Sequence, residues 1–376
     1  MAQRAIFEDV GSEAKREVAA PPQKPDAGAA RRAISVWLGI LFALVVVMIA
    51  VGGLTRLTDS GLSITEWAPL SGALPPMTEA DWQAEFDAYR QIPEYQLQNR
   101  GMSLGEFKYI YWWEWGHRQL GRVIGLVWAA GFAWFAIRRQ IPTGWTPRLL
   151  GLGLLGGLQG AIGWWMVSSG LEGTMLDVAS HRLAVHLGLA FVILGLIAWF
   201  IFRLRRLEGE LLQARRQRNT GLFRLDAVLV GLVFAQILMG ALVAGIDAGR
   251  SFTDWPLMGG QVVPPAALEL EPVTRNFTEN GGLVQFNHRI LAYIVTAFAI
   301  LVFLRARRSS LKAVRSAHVA MIHAVALQVV LGIVTVLYAA PLGLAIAHQL
   351  VAVLLWVLAL RARFVAGYPP AQSVRA

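Results

Sequence analysis

The chain alternates long apolar runs with shorter polar segments. Each run holds about 20 residues, the length that a helix needs to cross a hydrocarbon core of about 30 Å. The runs begin near Ile34, Tyr109, Leu149, Arg182, Leu225, Val284, His318 and Leu344. This pattern predicts eight transmembrane helices and therefore an all-α integral membrane protein.

The polar segments between the runs alternate between strongly basic segments and less basic ones. Arginines and lysines concentrate in the segments at 31–32, 138–148, 203–224, 305–315 and 361–363. By the positive-inside rule these segments are cytoplasmic, and so are both termini. The long segments at 54–108 and 245–282 are rich in Pro, Trp and acidic residues. We expect them to face outward.

Composition agrees with a membrane protein. The 376 residues are 56% hydrophobic and only 15% charged, which is unusual for a soluble domain. The net charge of +10 follows from the predicted topology, so it does not indicate a nucleic-acid partner. The chain has no cysteine, which excludes disulfides, thiolate ligands and cysteine nucleophiles. Residues 1–33 are charged, rich in Ala and Pro, and predicted to form a disordered cytoplasmic tail.

Two outward loops share a sequence, DSGLSITEWAPLSGALPP at 59–76 and DAGRSFTDWPLMGGQVVPP at 247–265. A shift of 188 positions superposes Gly52 on Gly240, Asp59 on Asp247 and Trp67 on Trp255. Similarity continues into the later helices of each half. Because each half contains four helices, both halves insert in the same orientation. We predict two parallel four-helix bundles related by a pseudo-twofold axis along the membrane normal.

The predicted domain boundaries follow from this repeat. The N-terminal bundle spans 34–203 and the C-terminal bundle spans 225–364, with a cytoplasmic linker at 204–224 and a cytoplasmic tail at 365–376.

Four histidines recur near the outer ends of the second and fourth helices of the halves, namely His117, His186, His288 and His348. Two histidines at one depth on two helices can ligate a haem iron from both sides. Zinc is the main alternative, but it takes three or four ligands. Small residues follow each histidine by four positions, at Gly121, Ala190, Ala292 and Ala352. They leave room for a macrocycle, although small residues also allow close helix packing. His181, His318 and His323 are interpreted as packing or snorkelling residues.

The halves differ just before each His-Arg pair, where WWEWGHR has Glu114 and LVQFNHR has Gln285. Glu114 lies on the helix face of His117, where a carboxylate can move protons and an amide cannot. The first site is therefore predicted to be catalytic and the second to hold a cofactor. The alternative role of Glu114 is an ion pair with Arg118.

Four arginines lie at the depth where haem propionates would need cations: Arg56, Arg118, Arg122 and Arg289. The alternative for these arginines is pairing with the loops or snorkelling. An electron-transfer cytochrome and a two-bundle transporter also remain open at this point, because both are compatible with intramembrane histidines or a parallel repeat.

Several longer motifs decide among these functions. They are GGLTRLTDSGLSITEW at 52–67, PEY at 93–95, GEFKYIYWWEWGHRQLGR at 105–122, HRLAVHLG at 181–188 and NFTENGGLVQFNHR at 276–289. With these motifs the chain resembles the heme A synthase family. Having no cysteine, it is similar to the branch found in mitochondria and related bacteria.

The resemblance implies an enzyme that oxidises the C8 methyl group of haem O to a formyl group by successive hydroxylations, making haem A for cytochrome c oxidase. It implies that His288 and His348 ligate a haem b cofactor, that His117 and His186 face the substrate haem, and that Glu114 is required for turnover.

Partners and location also follow from the resemblance. It implies haem O synthase (protohaem farnesyltransferase) as the donor of substrate, contact with cytochrome c oxidase assembly factors, and an electron acceptor that the sequence does not name. A homo-oligomer is left open. The expected location is the bacterial inner membrane, with the haem sites toward the periplasm.

Overall fold

The computed structural model describes residues 27–171, 173 and 175–371. Within these ranges the chain is helical and contains no β-strand, only an isolated bridge between Met258 and Gln261. The helices are α1 (Ala27–Leu57), α2 (Glu79–Tyr89), α3 (Pro93–Leu97), α4 (Leu104–Ile137), α5 (Thr146–Val167), α6 (Ser180–Leu204), α7 (Glu208–Arg216), α8 (Thr220–Gly245), α9 (Asn276–Glu279), α10 (Gly281–Ala306), α11 (Lys312–Leu337) and α12 (Leu342–Gly367).

Eight of these helices are long and apolar enough to cross a membrane: α1, α4, α5, α6, α8, α10, α11 and α12. They contain between 22 and 34 residues. The predicted number of spans is therefore confirmed among the described residues. Each helix begins slightly before its predicted apolar run because the flanking polar residues are also helical.

The first helix corrects the predicted limit of the N-terminal tail. Residues 1–26 lie outside the described residues, but α1 begins at Ala27 instead of Ile34. Arg31 explains the extension, since its guanidinium donates to the carbonyls of Arg203 and Arg206 at 2.8 and 2.7 Å. These carbonyls close the end of α6, where backbone acceptors lack helical partners.

The long helices form two sets. In the first set α1 and α5 each pack against both α4 and α6, and in the second set α8 and α11 each pack against both α10 and α12. The sets meet where α6 packs on α8 and α12, and where α1 packs on α12. The buried core continues across this seam, with Phe191 of α6 against Trp356 of α12.

The long loops lie at one end of the molecule, which we call the loop end. There α2 and α3 pack against the first turns of α4 through an aromatic cluster that includes Trp82, Phe86, Tyr89 and Phe107. Ser103 starts α4 with a capping box, because its hydroxyl accepts from the Glu106 amide while Glu106 accepts from the Ser103 amide. This arrangement fixes the entry of the helix that carries His117.

The two loop copies begin with the same backbone turn. Asp59 follows α1 with φ of 47° and Asp247 follows α8 with φ of 50°. Aspartate tolerates this left-handed conformation better than most residues, which accounts for its recurrence at the helix ends.

At the opposite end of the molecule, the predicted linker contains structure of its own. Helix α7 lies within 204–224, α8 begins at Thr220, and α12 continues to Gly367, past the predicted boundary at 364. Polar Asn219 explains the early start of α8, since its side chain accepts from the Leu222 amide and caps the helix.

Candidate haem sites

The four predicted ligand histidines all lie toward the loop end, one in each of four long helices. His117 is in α4, His186 in α6, His288 in α10 and His348 in α12. Within each set the two histidine-bearing helices are diagonal to each other, since both pack against the same two neighbours. The fold therefore places each predicted pair on opposite sides of one four-helix set, as ligation from two sides requires.

A glycine of a neighbouring helix makes room for each histidine ring. A Cβ added to the glycine would lie close to the ring Cε1 atom: 2.8 Å for Gly52 and His117, 2.9 Å for Gly163 and His186, 3.2 Å for Gly240 and His288, and 3.0 Å for Gly332 and His348. Any larger residue would thus displace or crowd the ring. The four contacts recur in matching positions of both sets, so the ring positions are a repeated feature.

Glutamines contact three of the four rings. The Gln159 amide nitrogen donates to the carbonyl of His186 at 2.9 Å and lies 3.2 and 3.3 Å from its two ring nitrogens. Gln236 does the same at His288, with distances of 3.0, 3.1 and 3.3 Å. The Gln328 amide nitrogen lies 3.2 Å from Nε2 of His348.

These sites contain buried polar atoms with no partner in the described structure. They include Nδ1 of His117 and of His348, and the Oε1 atoms of Gln159, Gln236 and Gln328. Among the described residues, no three His, Cys, Asp or Glu side chains form a metal cage. Paired imidazoles, glycines that clear space for the rings and orphaned polar atoms together fit a bis-histidine haem.

Glu114 lies one turn before His117 and is held on every side. Its Oε1 accepts from Arg118 at 2.6 Å, and its Oε2 accepts from the Ser63 hydroxyl at 2.7 Å and the Ile64 amide at 2.8 Å. The side chain is only 3% exposed. The alternative ion pair with Arg118 is thus present, and it ties the first loop copy to α4.

The second set of helices has a corresponding contact between an arginine and a loop copy, with an amide in place of the carboxylate. Arg118 donates to the carbonyls of Ile64 and Glu66, and Arg289 donates to the matching carbonyls of Phe252 and Asp254. The amide nitrogen of Gln285 donates to the Phe252 carbonyl at 3.0 Å, and its Oε1 is buried without a partner in the described structure. Both loop copies are therefore fixed over their sets by an arginine, but only the first has a buried carboxylate.

Comparison with known proteins agrees with this geometry. Residues 35–360 match the family model of the cytochrome oxidase assembly protein. A heme A synthase of Ruegeria sp. strain TM1040 is 61% identical over all of both chains. Those of Ruegeria pomeroyi and Paracoccus denitrificans are 62% and 58% identical over at least 99% of each chain. The chain belongs to the heme A synthase family.

The arginines that were predicted to contact propionates already have protein partners in this heme A synthase family member. Arg122 donates to the carbonyls of Ala68 and Pro69 at 3.0 Å each. Arg118 and Arg289 hold the loop copies as described above. Pairing with the loops, the alternative for these residues, is therefore present, and propionate binding stays a prediction.

Arg56 differs from the other three because its partners are carboxylates. It pairs with Asp59 and Asp247 at 2.9 Å each and with Asp177 at 3.3 Å. Since Asp247 belongs to the second loop copy, Arg56 joins the two sets at the loop end.

Glu94 is a buried acid at the loop end for which the sequence predicts no role. Glu94, in the PEY motif, is 2% exposed, and its Oε2 is buried without a partner in the described structure. Burial raises the pKa of Glu94 to about 8, and the charges of Asp177, Asp59 and Glu114 add to the shift. This carboxyl is therefore largely neutral at neutral pH.

The histidines outside the predicted pairs have ordinary partners. His318 is fully buried and contacts Asp226 at 3.0 Å and the Val314 carbonyl at 2.8 Å. His323 contacts the Val319 carbonyl at 2.7 Å, and the His181 ring lies 6.4 Å from Trp165. These contacts agree with the packing interpretation.

Proposed function

We propose that this chain oxidises the C8 methyl group of haem O to the formyl group of haem A, and that its two sets of helices divide the work. The first set, with His117 and His186, binds the substrate haem. The second set, with His288 and His348, binds haem b. The observation that carries the division is the buried Glu114 carboxylate beside His117, which the second set replaces with Gln285.

The two sets are proposed to be parallel bundles related by a pseudo-twofold axis. The repeated glycine–histidine contacts and the matching Arg118 and Arg289 loop contacts support this relation. By the positive-inside rule the arginine-rich end is cytoplasmic. The loop end and both haem sites then face the periplasm in a bacterial inner membrane.

The residues of the first site have distinct roles in this proposal. His117 and His186 hold the iron of haem O, and the glycines beside them set the ring positions. Arg118 and the first loop copy cover the site and limit its access to bulk solvent. Each of the two hydroxylations removes two electrons and a proton from the methyl carbon, and a water adds to that carbon as hydroxyl while its second proton leaves. The electrons pass to the separate electron acceptor, and the geminal diol formed after the second hydroxylation loses water to give the aldehyde. Haem b, when bound, supplies one-electron redox chemistry.

Glu114 is proposed to accept the proton released at the methyl carbon or to position the water that reaches it. The Arg118 guanidinium, the Ser63 hydroxyl and the Ile64 amide hold the Glu114 carboxyl beside His117, where the substrate is proposed to bind. Accepting a proton would weaken the ion pair, since a neutral carboxyl no longer attracts the guanidinium.

The proposed partners follow from the substrate and product. Haem O must come from haem O synthase, the protohaem farnesyltransferase, and haem A must pass to cytochrome c oxidase and its assembly factors. The electron acceptor is a separate partner that takes up the electrons removed from the methyl carbon.

The experiment is a Glu114→Gln substitution with haem analysis. Gln285 shows that an amide at this position can hold the loop by donating to a backbone carbonyl, so we expect the variant to fold and bind haem. Conversion of haem O to haem A should fall about 10²-fold or more, with haem O accumulating in extracted pigment. Glu279→Gln, which alters an exposed ion pair with Arg275, is the control. Full conversion by Glu114→Gln would refute the proposed role.

A further inference from the structure

The four histidines are not held equally. Gln159, Gln236 and Gln328 contact the rings of His186, His288 and His348. Nδ1 of His117 and Nδ1 of His348 are both buried without a partner in the described structure, so His117 differs in that no glutamine among the described residues hydrogen-bonds to its ring. One of the four imidazoles thus lacks a restraint that the other three have.

The contact between glutamine and ring is a restraint on orientation. At His186 and at His288 the amide nitrogen is nearly equidistant from both ring nitrogens. An amide nitrogen in the plane of the imidazole at these distances would collide with the ring atom Cε1. The amide nitrogen therefore lies over the face of the ring. The same amide nitrogen is anchored on the histidine's own carbonyl. The rings of His186 and His288 therefore cannot rotate freely without displacing the amide. Gln328 restrains the His348 ring by a single contact, to Nε2.

The sequence repeat identifies the residue that replaces the fourth glutamine. The shift of 188 positions that superposes Gly52 on Gly240 places Met48 on Gln236. Met48 lies next to the face of α4 that carries His117, because a Cβ added to Gly121 would be 3.5 Å from the Met48 Cε atom. A thioether is flexible and cannot donate a hydrogen bond.

Groups that orient a metal-bound histidine typically change metal affinity by about 10–100-fold when they are removed. A haem held by two restrained histidines should behave as a resident cofactor. A haem with one unrestrained ligand should leave faster, as a substrate that becomes a product must.

We propose that the three glutamines fix the rings of His186, His288 and His348, and that Met48 leaves the His117 ring unrestrained so that haem exchanges at the first site while haem b is retained at the second. Gln236 and Met48 are thus positioning residues that separate a resident haem from an exchanging one. This inference rests on the proposed function, since it needs haem at both sites.

The test swaps the methionine and the glutamine at positions 48 and 236 and measures the rate of haem release. Protein purified from cells that make haem O is mixed with excess apomyoglobin, and transfer of haem is followed by absorbance. The wild-type protein should release haem in a fast phase from the first site and a slow phase from the second. Met48→Gln should slow the fast phase by about tenfold, and Gln236→Met should accelerate the slow phase by about tenfold.

Matched controls place the same side chains away from the rings. Val47→Gln alters the position next to Met48 in α1, and Val228→Met alters a position about two helical turns before Gln236 in α8. These side chains belong to residues that are 49% and 52% exposed, so both release rates should stay unchanged. If Met48→Gln does not assemble, Gln236→Met and Gln328→Met test the same claim in the second site.

The possible results separate the two proposals. Unchanged release rates in both Met48→Gln and Gln236→Met, with normal haem absorbance, would overturn the proposed role of the glutamines alone. A purified wild-type protein without haem would overturn the proposed function together with this inference. Altered rates in the exchanged variants, with unchanged controls, would establish the positioning role.

Discussion

Glu114 and Arg118 form a 2.6 Å ion pair one helical turn apart, and the same arginine also holds the backbone of the first loop copy. At the matching place in the second half, Gln285 and Arg289 both donate to the Phe252 carbonyl. Both halves thus attach a loop copy through an arginine, but only in the first half does a carboxylate accept from this arginine.

Arg118→Lys tests whether this attachment matters for the reaction. Lysine keeps the positive charge but cannot bridge Glu114 and two backbone carbonyls at once. We expect conversion of haem O to fall roughly tenfold to a hundredfold, because a small displacement of a reacting group has effects of this size. Limited proteolysis should show faster cleavage within the first loop copy. Normal conversion together with faster cleavage would show that the loop cover is unnecessary.

The glycines beside the histidines predict a position-specific effect on haem binding. Gly240→Ala places a methyl group 3.2 Å from the His288 ring, whereas nothing lies within 4 Å of a Cβ at Gly231 in the same helix. Gly240→Ala should lower haem b retention by at least about tenfold, and Gly231→Ala should leave it intact. Haem content per chain, measured after purification, checks this. Equal haem content in the two variants would contradict the proposed role of the glycine.

Glu94 predicts a dependence of stability on pH. The folded state raises its pKa from the usual 4.5 to about 8, so folding binds a proton that the unfolded chain releases. This stabilisation is complete below pH 4.5 and is lost as the pH rises through about 8. Thermal unfolding in detergent should therefore occur at lower temperature as the pH rises over this range.

Glu94→Gln removes the titrating group while keeping its size. Unfolding of this variant should depend less on pH between 4.5 and 8 than unfolding of the wild-type protein. Identical slopes in the two proteins would exclude Glu94 as the source.

The buried pair of Asp226 and His318 predicts a strong coupling. The shift of 188 positions places Leu38 on Asp226, and the shift of 169 positions that superposes Gln159 on Gln328 places Leu149 on His318. Both leucines are fully buried. Asp226→Leu alone should cost about 3–5 kcal/mol because it leaves a buried polar partner uncompensated, whereas the double change to leucine should be close to neutral. A double-mutant cycle of unfolding free energies measures the coupling. Additive effects would contradict the pairing.

Sequence patterns predicted the regular features of this fold well. Eight apolar runs became eight long helices, since length and hydropathy directly determine whether a segment can span a membrane. The four repeated histidines are predicted near the outer ends of their helices, and all four lie toward the loop end. The sequence also identified Glu114 against Gln285 as the main difference between the halves.

Other features could be recognised only in three dimensions. The contact of Gln236 with His288 joins residues on different helices. The lack of such a contact at Met48 can be recognised only when the position of the His117 ring is known. The sequence predicts no role for Glu94, because its burial depends on how α2 and α3 pack over α4. The tail predicted at 1–33 includes the helical residues 27–33, because the carbonyls at the end of α6 that bind Arg31 are distant in sequence.

The division of labour between the two histidine pairs can be measured by haem extraction from paired variants. We predict that His288→Ala/His348→Ala loses haem b, whereas His117→Ala/His186→Ala retains haem b and loses bound haem O and haem A. Retention of haem b by the first variant, or its loss from the second variant alone, would contradict the account.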